Sequence, residues 1–237
     1  YFAALLVGAS LFLGFVGITI LVETPIVGLG RTVFEFGLLS LPTTMSMLVA
    51  APFIGRAIAR YGPRPVMLLG SGFATTGFLL MLTFDHTYTE VMLAPIPAFV
   101  GLVTMIITIT NTVVLASRKG ETGIQTGMAE MFQDLGASIG PVVVATILAS
   151  FTGVFGTGIV APGDPVAVVL PTLTAFHWLF GVGALLSLSC GVMAFFLQNY
   201  TFSAAGERIE SVAKVRVVVG APANPGLTAT TLGARDE

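Results

Sequence analysis

An all-α membrane protein with six transmembrane helices is the fold class this sequence predicts. Apolar residues make up 55% of its 237 positions, charged residues only 9%, and mean hydropathy is +0.96, so its natural solvent is lipid. The apolar residues fall into six runs, each long enough to cross a hydrocarbon core of roughly 30 Å, which takes about 20 helical residues. The runs are continuous. They lack the strict alternation of strands with one wet face, which favours helices over a barrel.

In chain order the predicted spans are residues 1–22, 34–55, 65–84, 91–116, 126–150 and 171–198, followed by a cytoplasmic, unstructured tail over 199–237. The first span opens at Tyr1, already inside an apolar run without a charged leader, and reads as a segment cut from a longer chain. In the second, Ser40, Thr43, Thr44 and Met47 gather on one side near Pro42 and Pro52. Such prolines free carbonyls and suit a moving gate, while ordinary small-residue packing explains the same cluster. Between the second and third spans, residues 55–65 place three arginines and two glycines in a short basic turn. The fourth span carries a polar stripe of Thr104, Thr108 and Asn111 at i, i+4 and i+7. Its hydroxyls can instead bond back to their own helix, and Asn111 can join two helices.

The fifth span holds the deepest carboxylates, Glu130 and Asp134, one turn apart on one face. Two such groups cannot both ionise freely in a dry site, so the pair suits proton coupling. It equally suits a cytoplasmic gate near the positive helix end, paired with Arg60 or Arg64. Gly136 and Gly140 face about 120° away and let a neighbouring helix approach, and Pro141 frees the Ala137 carbonyl for a kink. The sixth span opens on His177 and Trp178, read as a solvated histidine beside an interfacial anchor, and contains the single Cys190, read as a buried thiol.

Loops on alternate sides collect Arg56, Arg60, Arg64, Arg118, Lys119, Arg208, Lys214, Arg216 and Arg235 on one side. Only Arg31 lies on the other, with Glu23, Glu35, Asp85, Glu90 and Asp164. The basic side is therefore cytoplasmic, and both ends of the segment lie there. Two His, one Cys, and the lack of CxxC, HExxH or a Gly-rich loop with its Lys argue against an enzyme, a metal site, a cofactor or a nucleic-acid partner.

The pattern Gly55-x-x-x-x-Arg60-x-Gly62-x-Arg64 resembles motif A of the major facilitator superfamily of secondary transporters, with Ala59 at the family's acidic position and Pro63 at a basic one. Gly136-x-x-x-Gly140-Pro141 resembles the antiporter signature, with Val144 and Ala145 where further glycines stand. Residues 122–128 are similar to the start of this helix in drug:proton antiporters. The resemblance covers Tyr1 to about Asn199. It implies half of a two-half transporter, and Ala59 and the uncharged fourth span point to the carboxy-terminal half. It also implies a partner, the missing amino-terminal six- or eight-helix portion of the same protein.

On that resemblance the expected activity is proton-coupled efflux of a small amphipathic substrate by alternating access in the plasma membrane. Gly55, Arg60, Gly62 and Arg64 would form a cytoplasmic gate loop, and Thr104, Thr108 and Asn111 would line the central cavity. Proton-symport uptake of a metabolite is the alternative on the same fold. A non-transporting sensor or assembly subunit is the alternative of another class.

Overall fold

The computed structural model describes residues 1–24, 28–83, 92–117, 120–159, 165–195, 200–202 and 208–210. Six of its helices are long and apolar enough to cross a membrane: α1 (Phe2–Glu23), α2 (Val33–Tyr61), α3 (Pro63–Thr83), α4 (Pro95–Ala116), α5 (Thr122–Ser150) and α6 (Leu173–Ala194). Between α5 and α6 a hairpin pairs β1 (Thr152–Ile159) with β2 (Pro165–Pro171) antiparallel, Thr152 opposite Pro171. From Gln198 the chain forms a separate unit, whose described part is β3 (Tyr200–Phe202) antiparallel to β4 (Arg208–Glu210). The sequence reading treats that stretch as an unstructured tail; Lys214, Arg216 and Arg235 lie outside the described residues, as do Asp85, Glu90, Arg118, Lys119 and Asp164.

Local chemistry sets the helix ends. The Thr32 hydroxyl accepts from the Glu35 N–H, and the Glu35 carboxylate accepts from the Thr32 N–H, which caps α2 reciprocally. Arg31 pairs with Glu35 at 3.3 Å beside that cap. At 29 residues α2 is about 43 Å long, longer than a hydrocarbon core of roughly 30 Å, and Arg31 and Arg60 stand at its opposite ends.

Several boundaries move from the expected ones. The basic stretch expected as an eleven-residue loop is helical up to Tyr61, because Ala57, Ile58 and Ala59 are compatible with helix and Ile54 and Ile58 are buried with Val66. Only Gly62 separates α2 from α3, at φ +85°, where a side chain would be strained. α4 begins at Pro95 rather than residue 91, since Pro is tolerated in a first helical turn and not in an interior. α5 begins four residues early, at Thr122, and the apolar start at Pro171 belongs to β2.

The helices form two three-helix repeats, α1–α3 and α4–α6. Exchanging α1 for α4, α2 for α5 and α3 for α6 maps every substantial helix contact onto another: α1·α5 onto α4·α2, α3·α4 onto α6·α1, with α3·α6 and α1·α4 mapping onto themselves. The core lies between α1, α3, α4 and α6, filled by Phe78, Phe176, Phe180, Leu13, Met67 and Leu102. Of an eighteen-residue apolar stretch in each helix, 61% of the residues are buried in α1, against 17% in α2 and 22% in α5. α2 and α5 therefore present most of their surface outward.

Candidate functional site

A cavity of about 340 Å³ opens between α1, α2 and α4. Phe12 and Phe15 come from α1, Phe36, Leu39 and Met47 from α2, and Phe99 from α4; no charged side chain lines it. Phe15 and Phe36 meet edge to face at 6.0 Å with their planes 70° apart, which sets two inclined rings across the α1–α2 side. The polar part of the wall is Ser40, Thr43 and Thr44, all from α2.

Those three hydroxyls are not equivalent. Ser40 donates to the Gly37 carbonyl at 2.9 Å and Thr44 to the Ser40 carbonyl at 3.0 Å, so both are engaged with their own helix. The Thr43 side chain is buried, lines the cavity and makes no hydrogen bond among the described residues. Thr43 thus offers one donor and one acceptor to whatever fills an otherwise apolar, aromatic space.

On α5 the two faces differ in character. Gly136 and Gly140 are buried against α1: a Cβ at Gly136 would collide with the Leu5 carbonyl, and one at Gly140 would lie 2.8 Å from the Ala9 carbonyl. From the other side, a Cβ at Gly8 would collide with the Gln133 carbonyl. Three glycines therefore bring the α1 and α5 backbones into direct contact. Pro141 sits inside α5 one residue further on. Glu130 and Asp134 are exposed, about 120° round the helix from the glycine face that meets α1. α5 is about 43 Å long, and they are its ninth and thirteenth residues, in its first half.

At the α2–α3 turn, Arg56 and Arg60 are exposed and Arg64 is half-buried. The Arg60 guanidinium lies 5.4 Å over the Tyr61 ring, and that of Arg64 lies 5.6 Å over Phe195 just after α6. Gly55 is open on α2 with nothing near it, and Gly62 is buried in the turn. Arg60 and Arg64 thus each lie over an aromatic face.

The polar stripe of α4 does not line the cavity. Thr104 donates to Val100 at 2.7 Å, Thr108 to Thr104 at 2.7 Å, and Asn111 to Ile107 at 2.8 Å, all carbonyls of their own helix. Thr104 packs against Gly70 of α3, Thr108 is fully buried, and Asn111 alone of the three is exposed. The cavity wall instead uses Phe99 and Pro95 of α4. Sequence reasoning singled out Ser40, Thr43, Thr44 and Met47 for a gate or for packing and missed their role as cavity wall, although the 40, 43, 44, 47 spacing marks one helix face. At the other end of the bundle, Trp178 stacks on Phe151 at 6.4 Å and His177 is exposed beside it.

The sequence profile of the Major Facilitator Superfamily matches residues 1–229. A multidrug efflux pump of Mycolicibacterium smegmatis, LfrA, is 31% identical over 127 residues, which is 52% of this chain and 25% of that protein. An uncharacterized MFS-type transporter of Bacillus subtilis, YhcA, is 32% identical over 127 residues, 52% of this chain and 24% of the relative. The multidrug resistance protein Stp of Mycobacterium tuberculosis is 24% identical over 123 residues, 52% of this chain and 23% of Stp. The matched part thus spans about a quarter of each curated relative.

Proposed function

This chain belongs to the Major Facilitator Superfamily, and from that membership we propose that it forms the carboxy-terminal half of a secondary transporter that exports small amphipathic compounds by proton-coupled alternating access. It is an integral membrane protein. The observation that carries the substrate class is the α1–α2–α4 cavity, with four phenylalanines, one unpartnered hydroxyl and no charge. A carrier for sugars, acids or amino acids needs several polar or charged groups to replace substrate hydration, because unpaired buried polar groups are costly. An apolar compound with a single hydrogen-bonding group needs none beyond Thr43. The names of the relatives, an efflux pump and a resistance protein, support the same direction of transport.

The outward-facing carboxylates supply the second part of the reading. Ionisable groups at membrane depth require water or a partner, since lipid solvates neither charge. Glu130 and Asp134 are exposed on the bundle's surface, so their face meets a wet space against a second six- or eight-helix portion of the same protein, where protons are exchanged during the conformational cycle. With both ends of the segment at the cytoplasmic face, Gly55, Arg60, Gly62 and Arg64 close that side. The single-residue turn at Gly62 couples the movement of α2 to α3. The bilayer in question is the plasma membrane.

The test is flux of a lipophilic fluorescent compound in proteoliposomes containing the full-length protein. Efflux predicts movement opposite to the imposed proton gradient and its collapse with a protonophore. Movement in the same direction as protons identifies symport, and gradient-independent silence with retained folding rejects transport altogether.

A further inference from the structure

Arg64 is the only charged residue of α3, and α6 contains no Asp, Glu, Lys or Arg, so one guanidinium serves the whole length of this helix pair. The two helices pack antiparallel: Gly191 abuts Ser71, and Gly183 abuts the Phe78 ring. At the end where α2 turns into α3, the Arg64 guanidinium lies 5.6 Å over the ring of Phe195, just after α6. Arg64 is half-buried, yet among the described residues it makes no ion pair and no hydrogen bond.

The charge around it is unbalanced. Arg56 and Arg60 are exposed in the last turns of α2, and no acidic residue occurs in α2 after Glu35, in α3 or in α6. The first turn of α3 adds the positive end of a helix dipole. Stacking on an aromatic ring uses the face of a guanidinium and leaves the N–H groups at its edge, a fork that fits two phosphate oxygens. Away from this end, Leu69 and Phe73 of α3 and Leu185, Leu188 and Val192 of α6 are each more than half exposed, as is Phe195 itself. The exposed side of α5 differs, because Glu130 and Asp134 interrupt it. An apolar surface that ends in a basic group matches an acyl chain that ends in an anionic headgroup.

We propose that Arg64 and Phe195 form a binding site for an anionic phospholipid, with the headgroup phosphate on the guanidinium edge and an acyl chain on the apolar surface of α3 and α6. A choline headgroup carries its own cation beside the phosphate, so three arginines without an acid favour a headgroup of net negative charge. Free phosphate would gain the charge contact and none of the apolar surface. A second copy, related by a two-fold axis along the membrane normal, would bring its own Arg64 to the same level, where like charges repel. The site stands apart from the α1–α2–α4 cavity and depends on no direction of transport. Its lipid would tie the end of α6 to the α2–α3 turn.

The test is native mass spectrometry of the full-length protein in detergent, titrated with phosphatidylglycerol and, separately, phosphatidylcholine. Arg64→Gln should weaken phosphatidylglycerol binding about fivefold or more and leave phosphatidylcholine unchanged, since one basic residue at an anionic headgroup is worth about that factor. Arg64→Lys keeps the charge without the fork and should recover part of the loss. Phe195→Leu keeps the apolar surface, removes the ring under the guanidinium, and should cost about threefold for phosphatidylglycerol. Arg56→Gln, on the same membrane face without an assigned aromatic partner, should cost less than Arg64→Gln. Unchanged phosphatidylglycerol binding in Arg64→Gln overturns the proposal. Equal losses for both lipids, or equal losses from Arg56→Gln and Arg64→Gln, overturn it too, because they mean general disruption or diffuse attraction. Displacement of phosphatidylglycerol by millimolar inorganic phosphate would mean a soluble-anion site, and a dimer mass that disappears in Arg64→Gln would mean a second copy; either result overturns the lipid site.

Discussion

The α1–α5 and α2–α4 pairs occupy equivalent places in the two repeats, and one is shut while the other is open. Along α1–α5, Gly8, Gly136 and Gly140 remove the side chains that would hold the backbones apart. Along α2–α4 the equivalent contact carries Leu39, Thr43, Ile54 and Ile58 from α2, and a cavity of about 340 Å³ lies where α1 joins the pair. In lipid no hydrophobic force drives apolar helices together, so closeness is decided by the size of the side chains between them. The shut pair gives the half a rigid seam. The open pair leaves room for a guest.

The largest effect should come from forcing the shut pair open. Gly136→Leu places a side chain on the Leu5 carbonyl, backbone that cannot step aside, at a cost of about 3 kcal/mol or more. Most of the monodisperse protein should vanish from size-exclusion profiles after expression. Gly127→Leu, on the same helix with nothing within 4 Å, should leave those profiles unchanged. Equal damage from both would mean that α5 tolerates no bulk anywhere and that the glycine seam is not what matters.

The connections after the two equivalent helices differ too: α2 turns into α3 on one residue, whereas α5 reaches α6 through the β1–β2 hairpin. Gly62→Ala should cost about 1–2 kcal/mol, because a Cβ is disfavoured at φ +85°. Its thermal midpoint should fall measurably, while Gly55→Ala, in open helical backbone, should hold or slightly raise it.

The open pair is sharpened by its one free hydroxyl. Thr43→Val keeps shape and removes the donor, so affinity for compounds with a hydrogen-bonding group should fall about three- to tenfold. Binding of a purely hydrocarbon dye should stay the same or tighten. Titrating both ligands into purified protein by fluorescence separates the two, and equal losses for both would remove Thr43 as the polar contact.

The smallest of these effects belongs to the exposed end of α2. Thr32→Ala breaks the reciprocal cap at a cost of about 1 kcal/mol, whereas Glu35→Lys should cost more than loss of its half-exposed ion pair with Arg31 alone, since it also removes the cap. Amide exchange in the first turn of α2 reads both changes.

How much of this was legible in the sequence follows the range of the interactions. The six spans were readable because crossing a bilayer needs only a run of apolar residues, a local property. The two faces of α5 were readable for the same reason, since Glu130, Asp134, Gly136 and Gly140 are sorted by 3.6-residue periodicity alone. The end of α2 was not, because the shift to basic residues at Gly55–Arg64 marks where solvent begins and not where the helix stops. The cavity was hidden because Phe12, Thr43 and Phe99 meet only after three helices pack. For the α4 stripe the sequence leaves two readings open, cavity hydroxyls or hydroxyls bonded back to their own helix; Thr104 and Thr108 bond back, and Thr104 packs against Gly70 of α3, a neighbour that one helix's sequence does not reveal.

The central claim, that the outward face of α5 couples this half to protons, is tested most directly by gradient-driven flux in proteoliposomes of the full-length protein, comparing wild type with Glu130→Gln and Asp134→Asn. The account predicts that at least one neutralisation abolishes flux driven by the pH gradient while substrate binding in the α1–α2–α4 cavity persists. Full coupling in both variants would contradict it, leaving the acidic pair as a structural gate and placing the proton site elsewhere in the protein.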